Sequence, residues 1–316
     1  MSPLWTKRWP EWIAGSQATV GVAVGRSEIC AVHVIHRDRR TQIQAIASVP
    51  LTDALFAGPP TPEIESALAS AFSKVTANAV GKFIPCHVAV PDPVVRFSVF
   101  ELDELPKSEK TRLDLIRWRF SKEHAGDNQV LDCVCQGLGQ ESGKHLLLGQ
   151  AMDSAWLQSI NRALHSAGLT PWSINMGARY RFNQFHDRFT KENHGAAMVA
   201  LDSDVWSVFI WDAGVRPRLA RANWRAGADD AAQSFEMIAL EAERSILSYV
   251  RSGKGGTVAR VYVVSQAREL DGLVDALNRR LREGCVPLLS ESADPDETRQ
   301  SENHALAPLA FAAALA

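Results

Sequence analysis

The chain has 316 residues, a formal net charge of -2, and 46% hydrophobic against 22% charged residues. That is globular composition, with apolar mass for two domains or one large bilobed one. The charge balance excludes the electrostatic footprint of a nucleic-acid binder. No apolar run approaches the ~20 residues that cross a bilayer. The five cysteines show no disulfide pattern, so the expectation is a reduced, cytoplasmic protein.

Residues 1–17 form a Trp-rich extension, with Trp5, Trp9 and Trp12 beside Lys7 and Arg8. Such a segment either touches a membrane surface or folds back on the body, and its shortness favours the second. Residues 18–25 and 28–35 then alternate around a turn at Gly25-Arg26-Ser27, which reads as a hairpin. Residues 40–51 read as a third antiparallel strand. Pro59, Pro60 and Pro62 open a helix striped by Ile64, Leu68, Ala71, Phe72 and Val75. "CHVAVPDPVVRFSVFEL" is strand, proline break, strand. A different block follows: a helix with Leu113, Ile116 and Phe120, two alternating strands, a helix ending at Gly168, and an extended stretch that turns helical. Cys133 and Cys135 sit two apart on the first of those strands. A metal needs about four ligands, so they read as one face of a strand.

The first pattern returns with three short strands at 196–202, 205–211 and 216–224. A long helix follows, striped by Phe235, Ile238, Ala242, Ile246 and Tyr249. "SGKGG" is a helix-to-strand turn and not a phosphate loop, since it lacks the following Ser/Thr and the preceding strand. A buried strand, a last long helix and an apolar C-terminal helix complete the chain. Three strands, helix, strand, helix therefore occurs twice, which predicts two similar lobes. The boundaries expected are 18–100 with 177–194 for the first lobe, 101–176 for an inserted α+β subdomain, and 195–316 for the second lobe.

Several phrases carry a resemblance. They are Gly21-Val22-Ala23-Val24-Gly25-Arg26-Ser27, then "HVAVPDPVVR", then Ala167-Gly168-Leu169 with Pro171, then Glu241 to Tyr249 in the second long helix, and finally "APLAFAAALA". In their order and spacing the chain resembles the PilM family of type IV pilus assembly. That family is similar to the cell-division protein FtsA and to the cytoplasmic part of GspL from type II secretion. The resemblance implies an α/β, actin-like fold: a duplicated ribonuclease-H-like two-lobed body with a small α+β subdomain inserted in the first lobe.

In such a fold, ATP chemistry needs small residues whose N–H groups approach phosphate, a carboxylate near each hairpin for Mg²⁺, and a Gly-Gly turn against the nucleoside. This chain departs at each. Ala23 stands where the first aspartate is expected, before Gly25, Arg26 and Ser27. Ala200-Leu201-Asp202 replaces the second Asp-h-Gly phrase, and Ser265-Gln266 stands in the third turn. Strand alternation puts Asp202 roughly 6–7 Å along the same face from the lost acid, where it would crowd a phosphate. The expectation is no ATP hydrolysis and no cofactor or metal.

With catalysis lost, the resemblance implies a scaffold at the inner membrane. It would hold the N-terminal cytoplasmic peptide of a PilN-like bitopic membrane protein, contact other cytoplasmic pilus or secretion components, and sit peripherally on the membrane through that partner. The expected groove lies between 84–99 and the inserted block, with Val94, Val95, Phe97, Val99, Trp118 and Trp156 as its candidate residues. Trp118 and Trp156 lie in helices and have core packing as their competing role. The alternative is a working Mg-ATP-binding ATPase with Asp202 or Asp204 as altered ligand, whose nucleotide state gates partner binding. A sugar-kinase-like enzyme is a third reading, and no motif offers its catalytic aspartate.

Overall fold

The computed structural model describes residues 17–37, 40–51, 55–75, 84–123, 130–191, 193–202, 204–225, 231–252, 256–288 and 307–314. The Trp-rich start before residue 17 and the core of the "SGKGG" turn lie outside the described residues. In chain order the elements of the first half are β1 (Gln17–Val24), β2 (Glu28–Arg37), β3 (Arg40–Pro50), α1 (Pro62–Val75), β4 (Ile84–Val90), a single 3-10 turn at Asp92–Val94, β5 (Val95–Leu102), α2 (Glu109–Glu123), β6 (Leu131–Glu141), β7 (Lys144–Asp153), α3 (Ser154–Ser166) and β8 (Leu169–Met176). Then come α4 (Gly177–Gln184), α5 (His186–Phe189), β9 (Gly195–Leu201), β10 (Val205–Trp211), β11 (Pro217–Trp224), α6 (Ala231–Arg251), β12 (Val258–Val264), α7 (Ala267–Arg280), β13 (Cys285–Pro287) and α8 (Ala307–Ala314).

The duplication is visible in the sheets. The first has strand order β3-β2-β1-β4-β8 and the second β11-β10-β9-β12-β13, so each lobe repeats the same connection. Alternation along β1 sends Val20, Val22 and Val24 into one core with Leu68, Phe72, Ile160 and Leu164 from α1 and α3. The stripe of Ile238, Ala242, Ile246 and Tyr249 on α6 fills the matching core of the second lobe with Leu273 and Leu277 from α7.

Strand pairing redraws the expected domain boundaries. β8 runs parallel beside β4, from Ile84 opposite Leu169 to Val90 opposite Met176, so it belongs to the first lobe's sheet. α3 buries Trp156, Ile160 and Leu164 in that lobe's core. Conversely, β5 pairs with β7. The inserted unit is therefore the sheet β5-β7-β6 with α2 across it, joined by Phe100, Ile116, Phe120, Leu131 and Leu147. It spans Val95–Asp153 rather than 101–176. Chain order alone cannot tell which sheet a strand joins. Cys133 and Cys135 are half-buried against this small core, and all five cysteines are free.

Three helices cross between lobes. α4 and α5, expected with the first lobe, bury Phe182, Phe185 and Phe189 against Met198, Phe209, Trp211 and Tyr262 of the second sheet. α8, expected with the second lobe, packs Leu309, Ala310 and Ala313 on the first sheet beside Ala23, Cys30 and Val32. Gly21 makes this possible: a Cβ there would fall 1.9 Å from the Ala310 carbonyl oxygen. The glycine that read as part of a phosphate hairpin is the seat of a helix. Among the described residues no helix is long and apolar enough to cross a membrane.

Candidate functional site between the lobes

Ligands of open α/β sheets collect beyond the carboxyl ends of the strands. Here those ends carry Gly25–Ser27 after β1, Asp92 after β4, the first turn of α4 after β8, Asp202 and Asp204 after β9, and Ser265–Gln266 after β12. Both hairpins thus point into one centre, each closed by its own backbone: Gly25 N–H donates to the Glu28 carbonyl at 2.8 Å, and Asp202 N–H to that of Val205 at 2.8 Å.

Three donors that an anion could use at this centre are met by the chain's own carboxylates. The backbone N–H of Arg26, at the tip of the first hairpin, donates to Asp204 Oδ2 at 3.1 Å across 178 residues of sequence. Arg181, on α4, pairs with Asp202, and both side chains are buried. Ala178 N–H, in the first turn of α4, donates to Asp92 Oδ1 at 2.9 Å. Burial pushes the Asp92 carboxyl up to about 6, partly offset by that N–H and by the Ser207 hydroxyl. The Asp202 charge adds to the rise and Arg181 opposes it. At the third motif, Arg225 pairs with Glu269 of α7 at 2.6 Å and donates to Ser234 at 3.0 Å. Arg181 keeps one buried nitrogen, Nη1, without a partner.

Aromatic packing closes the first hairpin from the side. The Arg26 guanidinium lies 5.4 Å over the Trp224 ring. Phe56 stands between Trp224 and Trp156, at 6.4 and 4.5 Å between ring centres. Leu55 N–H donates to the Arg26 carbonyl at 2.9 Å and Leu51 N–H to that of Ser27 at 2.7 Å.

The other residues of the three motifs offer a nucleotide little. Ala23 and Cys30 are fully buried beneath α8, and burial, reinforced by the Glu28 charge, pushes the Cys30 thiol up to about 12. Ala200 is buried opposite Ser207. Asp202 is held by Arg181 instead of projecting toward a phosphate. The Ser265 hydroxyl is buried without a partner, and Gln266 precedes α7 with its carbonyl taken by Glu269 and Leu270 N–H. Among the described residues no group of three His, Cys, Asp or Glu side chains is placed to hold a metal. Side chains so engaged do not fit Mg-ATP as the fold's chemistry requires.

The six groove candidates do not converge. Trp156 is core, its Nε1 donating to the Gly58 carbonyl at 3.0 Å. Trp118 is 50% exposed on α2, with Arg119 and Lys122 over its ring. Val94 packs half-buried on the first-lobe core, and Val99 is half-buried on β5. Val95 packs on that first-lobe core as well, and it stands with Phe97 against the second lobe's aromatic cluster, Phe97 lying edge-on to Phe209 at 5.6 Å. They line a cleft of about 550 Å³ whose opposite wall is Trp206, Ala222, Trp224 and Met237. β5 and β11, both edge strands, flank it. This cleft runs between insert and second lobe, with Asp92 and Pro93 of the first lobe at its edge, and is a different place from the groove expected between 84–99 and the insert. Sequence reasoning did not single out Asp92 and Arg181. The signal for Asp92 was an acid between two prolines directly after a buried strand; for Arg181 it was a cation inside the apolar-aromatic phrase "RYRFNQF".

No family model and no curated protein matches the sequence. Solved structures do. The chain is similar to a structure of the PilM-PilN type IV pilus biogenesis complex, with TM-score 0.71 and 18% identity over 94% of this chain and 97% of that one. It is similar to a Bacteroides thetaiotaomicron protein of actin-like ATPase fold and unknown function, with TM-score 0.55 and 8% identity over 95% and 99% of the chains. It is also similar to the cytoplasmic domain of EpsL, an inner-membrane component of the type II secretion system of Vibrio cholerae, with TM-score 0.51 and 11% identity over 95% and 96%. The chain has the actin-like ATPase fold.

Proposed function

We propose that this chain is a cytoplasmic scaffold of a type IV pilus or related secretion platform at the inner membrane, and that it hydrolyses no ATP. It binds the N-terminal cytoplasmic peptide of a PilN-like membrane protein and is peripheral to the membrane through that partner. One observation carries the reading: between the hairpins Arg26 N–H and Arg181 are engaged by Asp204 and Asp202, in a fold that over 94% of its length is similar to a structure of the PilM-PilN complex. A body whose nucleotide seat is filled from within still offers rigid clefts. The one beside β5 has an edge strand to receive an extended peptide and apolar side chains to grip it.

Two measurements on the full chain test this. Fluorescence anisotropy with the N-terminal cytoplasmic peptide of a PilN-like protein should show saturable binding. Mg-ATP should leave the melting transition unmoved, whereas a ligand at 100 times its Kd stabilises by about 2.7 kcal/mol. A clear shift with Mg-ATP would restore the ATPase reading, and failure of the peptide to bind would remove the partner.

A further inference from the structure

Asp204 sits where the second hairpin turns into β10, and its backbone is fixed: Arg225 N–H donates to its carbonyl at 2.8 Å, at the end of the β10–β11 ladder. Its carboxylate reaches out of the second lobe to the Arg26 N–H of the first. In this fold a hairpin N–H at that point is an anion donor, and a carboxylate meets such a donor as a phosphate oxygen does, with a charge-assisted hydrogen bond. The contact lies between lobes, is made by a residue whose carbonyl is tied to the Arg225 N–H, and is flanked by the Arg26–Trp224 stack. A surface contact formed by chance would have none of these supports.

We infer that Asp204 is a built-in occupant of the first hairpin's anion seat, so that the chain itself supplies the negative charge that closes the two lobes on one another. The inference rests on the reading that no nucleotide takes the seat, and it adds the group that replaces it. The consequence is a cleft closed in the free protein, with no bound ligand needed to bring the hairpins together. Asp202 and Asp92 act in the same sense at neighbouring donors, through Arg181 and Ala178 N–H.

Amide hydrogen exchange on the free full chain, read by nuclear magnetic resonance, tests this without peptide or nucleotide. Its failure is therefore distinguishable from a failure of the scaffold reading. In the natural protein the Arg26 amide should be protected, and inorganic pyrophosphate should leave its resonance unmoved. Asp204→Ala should speed exchange at Arg26 by about tenfold or more, the scale of a hydrogen bond to a charged group. Asp204→Asn, which keeps an acceptor oxygen and loses the charge, should fall between. The amides of Val22 and Val199, inside the two sheets, report that the lobes remain folded; if the alanine variant loses them, the asparagine variant decides. Equal protection at Arg26 in the natural protein and in whichever variant stays folded would overturn the inference. So would a pyrophosphate-induced shift of the Arg26 amide in the natural protein.

Discussion

The two hairpins have one topology and opposite chemistry. The first, at Gly25–Ser27, presents a backbone N–H and the guanidinium of Arg26. The second, between β9 and β10, presents the carboxylates of Asp202 and Asp204. In a nucleotide-binding pair both turns serve as donors around one shared anion. Here one lobe donates and the other accepts, so the lobes complement each other directly. On the reading proposed above, a duplicated fold keeps a closed form without a ligand by carrying the ligand's charge in one of its repeats.

The strongest way to break that complementarity is to strip the donor from Asp202. Arg181→Met leaves a buried carboxylate with no cationic partner, and losing one member of a buried pair costs roughly 3–5 kcal/mol. Urea unfolding should show that loss. The double variant Arg181→Met with Asp202→Leu should recover most of it, because an apolar pair of similar volume leaves no orphan charge. A single variant within about 1 kcal/mol of the natural protein would mean that the second hairpin's acids are held by something other than α4.

Asp92 sharpens the comparison through pH. Its carboxyl is raised to about 6 in the folded protein, chiefly by burial, against about 3.9 in an unfolded chain. The folded state therefore holds this proton more tightly than the unfolded one. The stability Asp92 contributes is complete below about pH 4 and is lost as pH rises to about 6. Asp92→Asn should remove that dependence. Subtracting the two stability curves should leave a fall on the order of 2 kcal/mol between pH 4 and 6 for the natural protein. A difference that is flat, or that rises with pH, would show that Ala178 N–H, Ser207 and Arg181 outweigh the burial.

What was legible in the sequence was local. Alternation gave β1, β2 and the three strands of the second lobe, and the stripe on α6 gave its buried face, because each is decided by neighbours a few residues away. The repeated order gave the duplicated fold. What stayed hidden was long-range placement. Gly21 reads the same whether it admits a phosphate or a helix, and only the Ala310 carbonyl 1.9 Å from its missing Cβ decides. Asp202 read as a charge in a phosphate's way because its partner, Arg181, arrives from a helix that crosses between lobes. Trp156 and Trp118 are both helical tryptophans, yet one is core and the other half exposed, a difference set by Phe56 and Gly58 from a distant loop.

A second cross-lobe ion group gives the smallest effect and the clearest contrast with the centre. Glu141, the last residue of β6, reaches from the inserted unit to Arg218 at 2.5 Å and Arg216 at 3.6 Å, which Asp212 also holds. The Glu141 side chain is 36% exposed, whereas Arg218 and Asp212 are buried. Glu141→Gln therefore leaves Arg218 its buried partner and removes only the solvent-screened half of the network. The expected cost is about 0.5 kcal/mol at low salt. It should shrink further at about 1 M salt, where charges are screened beyond roughly 3 Å. The same salt should barely change the cost of Arg181→Met, whose partner is buried. If Glu141→Gln instead costs several kcal/mol at both salt concentrations, the inserted unit is locked to the second lobe as firmly as the hairpins are to each other. The cleft beside β5 would then have no freedom to widen around a peptide.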